Sequence, residues 1–185
     1  MDIAPNTSPQ AVLKRLIAGD PKAFEEILTQ YEKPIFNHLL RLTQDYDDAS
    51  ELLQTTFIKV YTKRSHIDPA GSFKNWLYKI ATNVAYDFFR KKKREQLVFL
   101  DDESVFETIE GDTAYSTIDT EIAVHDLKEA LVKIRPHHRT ILLLYYKEEL
   151  SYAEIADILG LPINTVKTHL RRAKIELETF LKNND

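Results

Sequence analysis

The chain has 185 residues, of which 29% are charged and 43% are hydrophobic, and its net charge is −4. Because it contains no cysteine, disulfides and thiolate metal sites are excluded, and only 4 glycines and 7 prolines argue against a turn-rich β architecture. No apolar run approaches the ~18–20 residues that a bilayer span requires, so we expect a cytoplasmic protein with no direct membrane insertion.

Apolar residues at three- and four-residue spacing predict four helices in the first half of the chain. Pro9 follows a serine that can cap the first helix, and Pro21 stands where the second begins. Asp45 introduces a third helix whose first turn is acidic, which suits the positive end of a helix dipole. The stretch 66–71 reads as a loop, and Ser72 can cap the fourth helix. This pattern predicts a compact helical unit.

The negative charge is confined to one internal stretch. Residues 1–95 sum to +3, residues 96–124 to −8 and residues 125–185 to +1. Helical periodicity is lost over 96–118, where the acidic composition predicts a flexible linker. The net charge therefore hides basic character on either side of that linker.

Four more helices are predicted after the linker, near 119–133, 136–148, 152–159 and 163–181. No segment has the pattern of a strand. The sequence therefore predicts an all-α protein made of two small helical domains, over 8–95 and 119–182, joined by the acidic linker.

The last two predicted helices have the marks of a helix-turn-helix. Ser151 and Glu154 have capping-box spacing, Gly160 can adopt the positive φ of a tight turn, and Pro162 precedes the next helix. Threonine, asparagine, lysine and arginine side chains can bind base edges and phosphates in the major groove. The last helix carries such donors at Asn164, Thr165, Lys167, Thr168, Arg171, Arg172 and Lys174. We therefore predict duplex DNA binding; the alternative is an ordinary solvated helix face.

The fourth helix has a polar face opposite its apolar stripe. Basic residues interleaved with asparagine and tyrosine can hold phosphates and unstacked bases together. The face comprises Lys74, Asn75, Lys79, Asn83, Tyr86 and Arg90. Taken alone, a solvated charged face is the commoner explanation of such a pattern.

Two blocks of sequence resemble sigma factors, the promoter-reading subunits of bacterial RNA polymerase. Residues 48–61 (DASELLQTTFIKVY) and 73–83 (FKNWLYKIATN) are similar to the second conserved region of that family. Residues 152–156 (YAEIA) and 165–173 (TVKTHLRRA) are similar to the fourth. The short linker leaves no room for the intermediate third-region domain, and this layout resembles the extracytoplasmic-function (ECF) group.

The resemblance implies that Asp48, Glu51 and Gln54 dock on the clamp helices of the largest polymerase subunit. It also implies that the 66–72 loop captures a flipped base of the −10 element. Single-stranded −10 DNA would be held by Ile67, Lys74, Lys79, Asn83, Tyr86 and Arg90. The sequence departs from the family pattern at Ser50, where a second acid is common, and at Ile67, where an aromatic is common, so the base preference of the loop is not fixed.

The resemblance further implies a −35 function for the C-terminal domain. That domain would read the −35 element as duplex DNA and touch the flap of the second-largest subunit. An anti-sigma factor, often membrane-associated in this family, would be a partner. The acidic linker would lie along the cationic RNA-exit path of the core enzyme.

An enzymatic function has no support in the sequence. There is no glycine-rich phosphate loop, no metal-ligand spacing and no expected cofactor. His137 and His138, being adjacent, should point to different sides of a helix, and the six histidines read as ordinary polar positions. Two alternatives stay open: a conventional helix-turn-helix regulator with an N-terminal dimerisation or sensing domain, and an adaptor whose helix faces contact only proteins.

Overall fold

The computed structural model describes residues 8–97 and 130–182, and every regular element in these two ranges is helical. We call the two ranges the N-terminal and C-terminal segments. Residues 130–133 are helical, and Arg64–His66 forms a 3-10 turn. The α-helices are α1 (Pro9–Ile17), α2 (Pro21–Thr43), α3 (Tyr46–Thr62), α4 (Phe73–Leu97), α5 (Pro136–Tyr146), α6 (Tyr152–Leu159) and α7 (Ile163–Lys182).

The all-α prediction is confirmed, and most helix limits agree with the sequence pattern. The fourth helix is longer than expected, because it continues through the first two residues assigned to the linker. Residues 98–118 of the predicted linker and 119–129 of the predicted fifth helix lie outside the described residues.

Polar caps explain where the N-terminal helices begin. The Asp20 carboxylate accepts a hydrogen bond of 2.9 Å from the Lys22 backbone N–H at the start of α2. At the start of α3, Asp45 accepts one of 2.9 Å from the Asp48 N–H. The Ser72 hydroxyl accepts one of 3.2 Å at the start of α4. Each cap satisfies an N–H group that has no partner within its helix.

The N-terminal segment is held together by the apolar faces of α2, α3 and α4. Leu39, Ala49 and Leu77 are completely buried, one from each helix, and Phe57 lies beside them. α1 adds Leu16 to this core. The predicted apolar stripes therefore face one another, which leaves the polar faces of α3 and α4 for contacts outside this core.

In the C-terminal segment, α5, α6 and α7 pack around a second core. Ile141 of α5 is completely buried, and Leu170 and Ala173 of α7 pack with it. Ile155 of α6 is completely buried as well, but it belongs to the apolar core that the C-terminal segment shares with the N-terminal segment. Ala156 of α6 and Val166 of α7 are buried in that shared core too.

The two segments pack against each other, whereas the sequence led us to expect two domains on a tether. α4 contacts α6, and α2 contacts α5. The Arg139 side chain of α5, only 6% exposed, donates a 2.6 Å hydrogen bond to the Leu42 carbonyl oxygen in the last turn of α2. Contacts between residues this far apart in sequence are not visible in local periodicity.

Candidate nucleic-acid interface

The helix-turn-helix is fixed by local chemistry that the sequence predicted. The Ser151 hydroxyl accepts a hydrogen bond from the Glu154 N–H, and the Glu154 carboxylate accepts one of 2.9 Å from the Ser151 N–H. This reciprocal pair closes the first turn of α6. Gly160 ends α6 with φ 65°, in the left-handed region that glycine adopts without strain. The chain can therefore turn at once into α7.

The DNA-binding residues predicted on α7 lie along its outer side. Asn164, Lys167 and Thr168 are exposed, whereas the other four are partly buried. The Lys167 ammonium lies 5.9 Å from the centre of the Tyr152 ring. The partly buried members of the set are Thr165, Arg171, Arg172 and Lys174.

The residues predicted to hold −10 DNA on α4 fall into two groups. Asn83 and Arg90 are exposed, and Arg90 forms an ion pair with Asp87 one turn earlier. Lys74, Lys79 and Tyr86 instead face the C-terminal segment and are bonded to it. The α4 face is therefore largely covered in this conformation.

Ile67 is not placed as its predicted DNA contact requires. Its side chain is 5% exposed and belongs to the core of the N-terminal segment. An aliphatic side chain gains free energy by leaving water, and this explains why it turns inward where an amphipathic aromatic could stay at the surface. The surrounding loop stays exposed at Asp68, Ala70 and Gly71.

The predicted polymerase-docking residues lie on α3. Glu51 and Gln54 are exposed on one side of the helix, one turn apart. Asp48 is less available, because its carboxylate forms a 3.1 Å ion pair with the Lys92 ammonium of α4. Ile58, one turn after Gln54, is 63% exposed and adds an apolar side chain to this face, which the polar pattern of the sequence did not predict.

Three histidines lie together in the C-terminal segment, contrary to the expectation that His137 and His138 point apart. The ring centroids of His137 and His138 are 6.1 Å apart, and the ring centroid of His169 on α7 lies 4.5 Å from that of His137. Burial, reinforced by the neighbouring His169 and His138, lowers the pKa of His137 to about 4. Within the described residues no group of His, Asp and Glu side chains could hold a metal ion.

Because the pKa of the half-buried His137 is lowered in the folded chain, acid should destabilise the fold. Its pKa of about 4 in the folded chain lies below the ordinary ~6.5 of an unfolded chain. As the pH falls below about 6.5, the unfolded chain binds a proton that the folded chain resists, so the free energy of unfolding decreases down to about pH 4. We expect the urea midpoint to be lower at pH 5 than at pH 7.5.

Replacing His137 by Phe should reduce this difference between pH 5 and pH 7.5, because the titrating group is gone. His66 is exposed, so His66→Phe serves as the control and should leave the difference as it is in the native chain. An unchanged pH dependence in His137→Phe would assign the acid sensitivity to other groups.

Comparison with known proteins supports a single family. Residues 27–95 match the model of Sigma-70 region 2, and residues 125–177 match Sigma-70, region 4. The chain is 32% identical to the ECF RNA polymerase sigma factor SigW of Bacillus subtilis, over 92% of this chain and 95% of that protein.

Two solved structures share the fold. One is the sigma factor RpoE of Bartonella quintana in complex with the anti-sigma factor NepR (27% identity, TM-score 0.67, covering 87% of this chain and 98% of that one). The other is CnrH in complex with the cytosolic domain of CnrY (19% identity, TM-score 0.68, covering 95% and 98%), and it supports the fold alone.

A helix-turn-helix packed beside a second helical segment, whose helix α4 has a polar and basic face, is typical of proteins that bind DNA in transcription. The chain belongs to the sigma-70 family, in its ECF group, and its function is that of an RNA polymerase sigma factor in promoter recognition and transcription initiation. Its partners are the polymerase core and promoter DNA. Within residues 8–97 and 130–182 no helix has both the length and the apolar character needed to cross a bilayer.

Proposed function

We propose that the two segments divide the work of initiation. A domain over 8–95 docks on the polymerase and holds the opened −10 element, and a domain over 119–182 reads the −35 element as duplex, with 96–118 as the link between them. The proposal rests on one observation above all. In the C-terminal segment, α7 carries hydrogen-bond donors and follows the capped helix α6 after the tight turn at Gly160. In the N-terminal segment, α4 has a polar face of its own.

For the −35 element, the support is the chemistry of α7. Asn164, Lys167 and Thr168 are exposed on α7, as the side chains of a recognition helix must be to reach the major groove. Amide and hydroxyl groups can pair with base edges, and the ammonium can pair with phosphate. The full set for this role comprises Asn164, Thr165, Lys167, Thr168, Arg171, Arg172 and Lys174.

For the −10 element, we propose that α4 holds the displaced single strand. Asn83 offers an amide to a base edge, and the exposed Arg90 offers charge to the backbone. Lys74, Lys79 and Tyr86 join them only after the C-terminal segment has moved away. The loop after α3 supplies the base pocket through its exposed residues, because the Ile67 side chain is buried.

For the polymerase, we propose that Asp48, Glu51 and Gln54 bind the clamp helices of the largest subunit, and that the C-terminal domain touches the flap of the second-largest. The chain supplies binding energy and no catalysis of its own, and it acts in the cytoplasm. An anti-sigma factor is a further proposed partner, supported by the RpoE complex with NepR, to which this chain is 27% identical.

Transcription in vitro tests the division of work. We expect the purified chain to confer start-site selection on core polymerase, and Lys167→Ala to weaken promoter binding by the holoenzyme by about 1–3 kcal/mol. Lys33→Ala removes an equally exposed lysine from α2 and should change little. Initiation with the native chain but unchanged promoter affinity in Lys167→Ala would remove Lys167 from the −35 contact. Palindromic duplex binding without polymerase would instead favour a conventional regulator.

A further inference from the structure

The first two turns of α7 expose an aliphatic side chain among polar ones. Ile163, Asn164, Lys167 and Thr168 are exposed there. They form two pairs spaced by four residues, 163 with 167 and 164 with 168, so they lie on one side of the helix. The N-terminal residues of a recognition helix are the ones that contact base edges. An apolar group therefore stands at the end of α7 where bases are contacted.

The exposure of Ile163 differs from that of the apolar residues around it. Ile163 is 46% exposed, whereas Val166 is completely buried and Leu170 is 3% exposed. Leu161, in the turn before the helix, packs against the core that the two segments share. An aliphatic side chain gains free energy by leaving water, so Ile163 gains from a contact that covers it.

The backbone around Ile163 is held on both sides. The Leu161 N–H donates a 3.0 Å hydrogen bond to the Ala156 carbonyl oxygen of α6, and the Val166 N–H donates one of 3.1 Å to the Pro162 carbonyl oxygen. The first of these bonds ties the turn to α6, and the second closes the first turn of α7. Because Ile163 lies between them, its backbone is ordered before any partner binds, and binding costs little backbone entropy.

The chemistry of the major groove leaves one kind of partner for this side chain. Base edges there present hydrogen-bond donors and acceptors, and their apolar feature is the C5 methyl group of thymine. The Asn164 amide can pair with adenine, and the Lys167 ammonium can pair with guanine or phosphate. Ile163 has no side-chain donor or acceptor, so against a polar base edge it would leave that edge unpaired. Against a thymine methyl it loses nothing and excludes water.

We propose that Ile163 is a specificity residue that contacts the C5 methyl group of one thymine in the −35 duplex. The inference rests on the proposed −35 role of the C-terminal domain, and it adds a base to that role. The polar side chains of α7 supply contacts to phosphates and polar base edges, and Ile163 selects thymine over cytosine at one position because cytosine lacks the methyl group.

Replacing thymine by uracil tests this contact, because uracil still pairs with adenine and lacks the methyl group alone. Duplexes randomised over the −35 region are first selected with the holoenzyme. Each thymine of the selected element is then replaced by deoxyuridine, one position at a time. At one position we expect the affinity of the native holoenzyme to fall about threefold, the effect of leaving one methyl group uncovered. With Ile163→Ala, thymine and uracil should bind equally well at that position.

Two further variants make the ratio of thymine to uracil affinity specific to Ile163. Ile175→Ala makes the same change on the same helix, about three turns further on, at a residue that is 51% exposed. It should keep the native ratio. Ile163→Val retains a branched aliphatic side chain and should keep most of the preference for thymine. An equal cost of uracil in the native chain and in Ile163→Ala would assign the methyl contact to another residue and overturn the proposal.

The outcomes separate this proposal from the proposed function. If Lys167→Ala weakens promoter binding but uracil changes nothing at any position, the −35 role stands and the thymine contact is overturned. If the holoenzyme selects no common duplex sequence from the pool, both are overturned. If Ile163→Ala weakens binding to core polymerase and leaves the thymine preference intact, the exposed side chain contacts protein, and the proposal fails.

Discussion

Replacing Glu51 and Gln54 together by alanine should weaken binding of the chain to core polymerase about tenfold or more. Both side chains are exposed on α3, one turn apart, and neither belongs to the apolar core of the segment. Truncating residues that carry the binding energy of an interface costs about 2 kcal/mol or more, and each ~1.4 kcal/mol is a factor of ten in affinity. Start-site-specific transcription should be lost at limiting concentrations of the chain and should recover when it is added in excess.

The control for this experiment is Glu25→Ala with Gln30→Ala, an acid and an amide that are equally exposed on α2. Titration of labelled core polymerase with each double variant gives the affinities directly, and thermal unfolding shows whether either fold has changed. If both variants bind core like the native chain, the docking surface lies elsewhere. Ile58, whose exposed side chain extends the same face, would then be the next residue to change.

Replacing Arg139 by methionine should cost about 3 kcal/mol or more of unfolding free energy. Its guanidinium donates to the carbonyl oxygens of Leu42, Val132 and Ile134, at 2.6, 2.6 and 3.2 Å. Methionine keeps much of the volume but donates nothing, and a buried carbonyl left without a donor, such as that of Leu42 or Ile134, costs about 1–3 kcal/mol. These three losses share one side chain, so they will not simply add.

The reason for this arginine lies in the end of α2. Carbonyl groups in the last turn of a helix have no partner within it. The Gln44 backbone N–H and side-chain amide satisfy Leu40 and Arg41, and Arg139 satisfies Leu42 from the other segment. Arg135→Met is the control, because that side chain is 69% exposed and its ion pair with Glu176 should contribute less than ~1 kcal/mol. Equal losses in urea unfolding for the two variants would contradict the role assigned to Arg139.

Local features of the sequence predicted most of the helices. Caps such as Asp45 and Ser151, the turn at Gly160 and apolar spacing at three and four residues act within one turn of chain, so they can be read directly. The polar faces of α3 and α7 were predicted in the same way. The side chains that form them are exposed where periodicity places them, although their functional roles stay predictions.

The contacts that the sequence did not predict join residues that are far apart in the chain. The covering of Lys74 and Lys79 joins positions more than 70 residues apart in sequence, and so does the bond from Arg139 to Leu42. The histidine cluster arises because α7 brings His169 beside α5, which no spacing within α5 could indicate. Ile67 was assigned by analogy with an aromatic position, but its aliphatic chemistry favoured the core.

The two oxygens of the Glu154 carboxylate accept hydrogen bonds from different partners. One oxygen closes the first turn of α6 through Ser151, and the other accepts from Asn75 across the contact. Losing Asn75 would therefore leave the α6 cap intact. A separation of the two segments would therefore break the bond from Asn75 while the first turn of α6 stays capped, so α6 would need no refolding.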